Sequence, residues 1–199
     1  MAFYLQLLGL FVIFLLILFY FSHDDFIRGN RFFRILLLVG YMIEILYVAN
    51  FVVLESNGNG FLIGKLYVLA IFVFVSLFTL YLVTKIGKNC EKGSISKKFS
   101  LGYFLIQVIG MVVLWLTEVE IIDQQIDFQS HILVLFMSIY AVVNIVLLLL
   151  KRKQFDTYKW GHLFVVSFGM VFMIGLQSCL PSLAVINTGI VLMLLYLYI

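Results

Sequence analysis

Residues 62–86 read LIGKLYVLAIFVFVSLFTLYLVTKI and hold no charged residue between Lys65 and Lys85. About 20 apolar residues allow a helix to cross the hydrocarbon core of a bilayer, and a helix satisfies its own backbone hydrogen bonds there. The stretch therefore predicts a transmembrane helix. It is typical of the whole chain, because 64% of the 199 residues are hydrophobic and 12% are charged, against about 45–50% and 25% in soluble domains.

Apolar stretches of this kind recur along the whole chain. Residues 1–199 are predicted to form a single all-α domain, a polytopic membrane helix bundle of about seven transmembrane helices. The first stretch is interpreted as a retained helix, because it is longer than the roughly 7–15 apolar residues of a signal peptide and no basic segment precedes it. The predicted spans are residues 2–22, 33–54, 62–86, 100–117, 131–150, 161–179 and 182–199.

The last two predicted spans are separated only by the Leu180-Pro181 corner. Proline lacks a backbone donor and restricts the residue before it, which favours a helix boundary there. The alternative is six spans, with residues 161–199 as one broken hairpin or one long kinked helix. Two spans are preferred, because 39 helical residues at about 1.5 Å each would extend far beyond a bilayer.

The basic residues give the predicted bundle a direction. Twelve of the thirteen Lys and Arg residues fall in the first, third and fifth loops, and Lys65 is the exception. The positive-inside rule places these alternate loops in the cytoplasm. The N-terminus is therefore predicted outside the cell and the C-terminus inside, in a multi-pass protein of the plasma membrane.

Glu44 is the first candidate functional residue, since it lies near the middle of the second span. A charged carboxylate there costs at least about 2.5–3.5 kcal/mol, so the side chain is expected to face the bundle interior. It is interpreted either as a ligand contact or proton-sensitive switch, or as an interhelical hydrogen bond that fixes packing. Ser76 and Thr79 lie at similar depth on the third span. They are expected to bond to Glu44 or, as we favour, to their own helix backbone.

A second polar group lies nearer the outer face. It is predicted to line an outward-facing pocket and to sense a ligand together with Glu44, although ordinary interfacial polarity, with Lys65 extending to the headgroups, is the alternative. Two deeper residues, Gln107 and Asn144, are interpreted as polar contacts between packed helices. The outer group consists of Asn50, Lys65, Gln177 and Asn187.

The sequence contains no catalytic motif. It has no glycine-rich phosphate loop, no nucleophile paired with a base and no zinc-binding pattern. His23, His131 and His162 all lie at span ends and are not at metal-ligand spacing. No cofactor, metal site or nucleic-acid partner is therefore predicted.

Three segments resemble a known family. They are RFFRILLLVGYMIEILYV at 31–48, GKLYVLAIFVFVSLFTLYLV at 64–83 and INTGIVLMLLYLYI at 186–199. The chain is similar to the N-terminal multi-span sensor region of Firmicutes-type sensor histidine kinases. The resemblance implies a dimer, with a dimerisation helix and an ATP-binding domain beyond Ile199. Neither element occurs in these residues, so the chain is expected to be a sensor module cut from a longer protein.

The sequence thus predicts an integral membrane signal-input module in which Glu44 and the outer polar group make the sensing contacts. Its partners would be the lipid bilayer, a second copy of the chain, and a small-molecule or peptide ligand. A small transporter and a structural subunit of a membrane complex are the alternatives. A transporter would need a continuous polar path across the bundle, which Glu44 and Gln107 only begin to provide.

Overall fold

The fold is all-α in a computed structural model of the chain. The structure describes residues 2–22, 31–56, 61–88, 106, 109–110, 112–113, 121–122, 125–126, 131–150, 152–154, 157–179 and 185–198. The described helices are α1 (Ala2–Ser22), α2 (Arg31–Glu55), α3 (Phe61–Lys88), α4 (His131–Leu150), α5 (Thr157–Cys179) and α6 (Val185–Tyr198).

The described helices extend the predicted spans slightly at several ends. α2 begins two residues earlier than the predicted second span, and α3 continues to Lys88. α5 begins at Thr157 rather than at 161, because its first turn includes polar residues that a hydropathy criterion leaves out. Most of the predicted fourth span, 100–117, lies outside the described residues, although Ile106, Ile109, Gly110, Val112 and Val113 are helical.

The corner around Pro181 separates two helices. α5 ends at Cys179 and α6 begins at Val185, and the two helices pack against each other. The structure therefore has a helical hairpin rather than one long kinked helix. Pro181 itself lies outside the described residues.

Two short elements accompany the helices. Ile121–Ile122 and Gln125–Ile126 pair antiparallel, with Ile121 opposite Ile126, between the predicted fourth and fifth spans. A 3₁₀ turn, Arg152–Gln154, joins α4 to α5. The indole N–H of Trp160 donates to the carbonyl oxygen of Leu148 at 2.9 Å, which fastens α5 to the end of α4.

The six helices pack in chain order. Each one contacts the next, α6 returns to α1, and α2 also contacts α6. The core is aromatic and aliphatic, with Tyr67, Phe72, Phe74 and Phe78 of α3 fully buried. Gly40 is needed where α2 meets α6, because a Cβ there would lie 2.6 Å from Leu194 Cδ1.

Two helical segments are long and apolar enough to cross a membrane, Phe33–Glu55 of α2 and Leu62–Val83 of α3. The criterion is one of length and composition among the described residues, and the buried core helix of a soluble protein also meets it. Shorter apolar segments, of 10–17 residues, occur within α1, α4, α5 and α6.

Candidate functional site

Glu44 lies where three helices meet. Its side chain is completely buried, with 0% of its surface exposed. A Cβ added to Gly9 of α1 would lie 3.7 Å from the Glu44 carboxyl carbon and 3.2 Å from Val191 Cγ2 of α6. The absence of a side chain at Gly9 therefore allows α1 to approach the Glu44 carboxyl closely.

Neither carboxyl oxygen of Glu44 has a hydrogen-bond partner among the described residues. Burying a charged group without a partner is costly, and burying a neutral polar group costs less. The packing around Glu44 therefore suits the neutral carboxylic acid better than the carboxylate. A charge formed here would require water or a counterion between α1, α2 and α6.

Two tyrosines lie in the neighbourhood of this carboxyl group. The Tyr47 and Tyr67 rings lie 5.7 Å apart between centroids, and a negative charge on Glu44 would act on both hydroxyl groups. The Tyr67 hydroxyl donates a hydrogen bond to Asn187 Oδ1 at 2.5 Å. Glu44, Tyr47, Tyr67 and Asn187, which we call the polar junction, therefore connect α2, α3 and α6.

The amide nitrogen of Asn187 remains unsatisfied. Asn187 is 0% exposed, and its Nδ2 has no hydrogen-bond partner among the described residues. Buried polar atoms in folded proteins are nearly always bonded, and exceptions indicate an unseen water, an ion or a functional group. The polar junction thus has an unsatisfied acid on α2 and an unsatisfied amide donor on α6.

The other predicted sensing residues are less closely connected to Glu44. Asn50 is buried on α2, and its Oδ1 has no hydrogen-bond partner among the described residues. Lys65 is half-buried and has an interaction of its own. The side chain of Gln177 lies outside the described residues. Of the predicted outer group, Asn187 is connected to the surroundings of Glu44 through its hydrogen bond with Tyr67.

The predicted helix-packing residues have separate environments. Thr79 Oγ1 donates to the Val75 carbonyl oxygen of its own helix at 3.2 Å. Ser76 is buried and interacts with the Tyr140 hydroxyl of α4. Asn144 is completely buried on α4, and its side-chain amide has no partner within the described part of the chain. Gln107 lies outside the described residues.

Sequence reasoning missed Tyr47, Tyr67 and Gly9. A usable signal was available for Tyr67, which shares a helical face with Ile71, Phe74 and Phe78 and carries a hydroxyl that needs a partner when buried. Gly9 interrupts a run of large apolar residues, which is typical of close helix contact in membranes. Neither signal identifies the helix that supplies the partner.

The polar junction contains a carboxyl group, two phenol groups and an amide, which are groups that can bind a polar ligand or exchange a proton. Within the described ranges no group of three or more His, Cys, Asp or Glu residues could hold a metal ion. Comparison with protein-family models, with curated proteins and with solved structures finds no match for this chain. The case for a function therefore depends on the geometry of the polar junction.

Proposed function

We propose that the chain is a multi-pass protein of the cell membrane with about seven spans. The distribution of polarity supports this. The interior contains buried Glu44, Asn50, Asn144 and Asn187, whereas large apolar side chains face outward. On α1 alone, seven large hydrophobic side chains are exposed, Tyr4, Leu7, Leu8, Phe11, Phe14, Leu18 and Phe19. A soluble protein rarely exposes an apolar face of this kind, whereas lipid accommodates it.

The positions of the polar junction and of Gly9 beside it agree with the proposed direction of the chain. Gly9, Tyr67 and Asn187 lie in the N-terminal halves of α1, α3 and α6, and Glu44 lies near the middle of α2. In the topology given by the basic loops, the starts of α1, α3 and α6 all lie outside. The polar junction would then occupy the outer half of the membrane.

We further propose that the protein is a signal-input module and that the polar junction is its sensing element. The observation that carries this proposal is the fully buried Glu44 carboxyl, which has no partner among the described residues and packs beside α6. An ionisable residue at this depth is expensive and is therefore usually functional. A stimulus that bonds or ionises Glu44 would favour a different packing of α6 and so shift the population of two helix arrangements.

The resemblance to kinase sensor regions agrees with this role, because there the last span transmits the signal to a cytoplasmic output domain. In this chain, α6 joins the polar junction through Asn187 and through Val191. The coding sequence after Ile199 tests the kinase assignment. A dimerisation helix and an ATPase domain would support it, and a stop codon would refute it while leaving the sensing role testable.

Membrane placement has its own test. Membranes from cells that express the protein should retain it after extraction at alkaline pH, and detergent should release it. A reporter fused after Ile199 should give a cytoplasmic signal. Release of the chain without detergent would refute the membrane proposal, and an extracellular reporter signal would refute seven spans.

Disulfide trapping tests the sensing role. In a background with Cys90 and Cys179 replaced by Ala, the pair Gly9→Cys and Val191→Cys reports contact between α1 and α6, and the loss of the valine Cγ2 makes room for the new sulfur. The yield of cross-linked protein is measured in membranes across pH 5–9, with and without monovalent cations. Thiolate formation changes the oxidation rate with pH in every variant, so the yield is compared with that of the same pair carrying Glu44→Gln at each pH. We expect the ratio of the two yields to change across this range.

Glu55→Gln is the matched control, because Glu55 is an exposed carboxylate at the end of the same helix. It should reproduce the response of the parent. If the parent and both variants give equal yields at every pH and cation concentration, Glu44 is not a sensing group for protons or these cations. If cross-linking follows the movement of a solute in uptake assays, the transporter alternative replaces the sensor.

A further inference from the structure

A second feature lies away from the polar junction, between α5 and α6. The two helices separate enough to leave a cavity of about 220 Å³, with Ile71 and Val75 of α3 as its floor. Tyr196 is the one polar side chain among the residues that line it, and Met170, Met173 and Met193 contribute thioethers. We call this space the α5–α6 groove.

Water is a poor occupant for the groove. A buried water molecule needs two to four polar partners, and a dry apolar cavity of about 150 Å³ already accepts a benzene-sized molecule. The groove is larger than that and has almost no polar lining. Its chemistry therefore favours an aliphatic occupant.

The shape of the groove indicates which aliphatic group. Along α6 it extends from Ile186 to Tyr196, which is about 15 Å at 1.5 Å per residue. That length is about half of the roughly 30 Å hydrocarbon thickness of a bilayer. It matches the length of an acyl chain, which would extend from the Tyr196 end of α6 past the middle of the membrane to Ile186.

The groove is open along its outer side. Val165 and Leu192 line it, yet they are 54% and 52% exposed. Gly169 also lines it, and a Cβ added there would meet nothing within 4 Å. A flexible chain could therefore enter laterally from surrounding lipid without movement of either helix.

One end of the groove is chemically different. The His162 ring stacks on the Tyr196 ring at 4.9 Å between centroids, and exposed Arg152 and Lys153 lie in the turn before α5. In the proposed topology this end faces the cytoplasm, where anionic headgroups attract basic residues. Amphipathic aromatic rings are typical of the same level of the membrane.

We propose that the α5–α6 groove binds an acyl chain of an anionic bilayer phospholipid, with the headgroup at the His162 and Tyr196 end. This rests on the membrane placement proposed above but not on the sensing role of Glu44. The occupant is held by dispersion contacts along the groove and is oriented by charge at one end. The methionines adapt to it, because thioether side chains are flexible and polarizable.

A photolabelling experiment tests the proposal. The protein is reconstituted in vesicles of phosphatidylethanolamine and phosphatidylglycerol that contain a phosphatidylglycerol with a diazirine on its acyl chain. After illumination, labelled residues are identified by mass spectrometry. We expect label to concentrate on groove residues of α5 and α6 and to fall at least fivefold in Gly169→Leu, whose side chain fills the groove.

Gly175→Leu is the matched control. Gly175 is on the same helix, and its Cβ also meets nothing within 4 Å, but it is exposed and does not line the groove. This variant should be labelled like the parent. Equal labelling of both leucine variants, or label as dense on Phe11 and Leu18 of α1 as in the groove, would show surface lipid only and overturn the proposal.

Two further measurements remove ambiguity. If Gly169→Leu does not elute as a monodisperse protein in detergent, Gly169→Ala is compared with Gly175→Ala, and about a twofold loss of label is expected in the first alone. If groove residues stay unlabelled and Leu192→Cys, in the background without Cys90 and Cys179, forms disulfide-linked dimers in the same vesicles, a second copy occupies the groove and the lipid proposal is wrong. Failure of the alkaline extraction test would refute membrane placement itself.

Discussion

The polar junction and the α5–α6 groove differ in how closely their helices pack. At the junction, Gly9 lets α1 approach α2 until the Glu44 carboxyl has no room for a solvent shell and no bonded partner within the described structure. At the groove, Gly169 leaves a space that neighbouring side chains do not fill. The same residue type thus produces tight packing around a polar group in one place and an apolar opening in the other.

This difference teaches that a glycine in an apolar helix has no fixed meaning. Its effect depends on whether a facing helix moves into the space it leaves. Tight packing around an acid that has no hydrogen-bond partner within the described residues favours a change in helix packing when the acid is ionised. An apolar opening instead provides a binding site for an apolar group. The following changes test whether the two regions behave in these opposite ways.

The largest expected effect on stability is at the contact between α2 and α6, one helical turn before Glu44. Leu194 of α6 is 0% exposed and lies against Gly40 of α2. Leu194→Ala should lower the free energy of unfolding by about 2–5 kcal/mol, because it removes buried methyl groups and leaves a cavity. Unfolding of detergent-solubilised protein in a denaturant series measures this. Leu192→Ala, at an exposed position two residues earlier, should change it by less than about 0.5 kcal/mol.

Glu44→Leu should act in the opposite direction. Removing an unpartnered buried carboxyl should raise the free energy of unfolding by about 1–2 kcal/mol, because an apolar side chain has no desolvation cost there. The same unfolding assay, with Glu55→Leu as the exposed control, distinguishes two roles. A clear loss of stability would mean that Glu44 serves as a packing hydrogen bond, and the sensing proposal would lose its main support.

Tyr67→Phe should have a smaller effect. It removes the hydroxyl that donates to Asn187, and hydrogen bonds between membrane helices contribute about 0.6 kcal/mol on average and at most about 1.7. The junction should therefore weaken slightly and α6 should move more freely. Thermal unfolding measures the first change, and the Gly9–Val191 cross-linking yield measures the second. An unchanged yield would mean that the hydrogen bond between Tyr67 and Asn187 does not affect the position of α6 relative to α1.

An effect of similar size is expected at the groove. Gly169→Leu and Gly175→Leu both gain about 0.8 kcal/mol from helix propensity. Filling the groove should give Gly169→Leu an additional stabilisation of about 0.5–1 kcal/mol in lipid-free detergent, as cavity-filling substitutions commonly do. The difference between their unfolding free energies isolates the groove. No difference would mean that detergent already occupies it or that it closes.

The all-α fold could be predicted from the sequence because apolar runs of 20 residues leave few alternatives, and the described helices follow those runs closely. Glu44 could also be selected, since one carboxylate in an apolar span is conspicuous. Its neighbours could not, because a hydropathy pattern does not say which face of α3 or α6 meets α2. Tyr67 and Asn187 are 120 residues apart in the sequence, and only the packing of three helices joins them.

The groove was beyond sequence reasoning for a related reason. A cavity forms where the side chains of facing helices do not fill the space between them. The residues of α5 and α6 that line the groove are ordinary apolar types, so the sequence does not indicate it. The predicted outer pocket of Asn50, Lys65, Gln177 and Asn187 stays a prediction, because the side chain of Gln177 lies outside the described residues. Similar depth along four helices was known, but rotation about each helix axis was not.

The Trp160 bond to the Leu148 carbonyl bears on the order in which the chain assembles. Leu148 lies in the last turn of α4, where carbonyl groups have no partner within the helix, and the donor follows only 12 residues later. The α4–α5 corner can therefore form from local contacts during synthesis. The polar junction cannot, because it needs Asn187 from α6, which is made after the other described helices. Glu44 must wait without its α6 neighbours until α6 has been made, which makes its enclosure a late step in the assembly of the described helices.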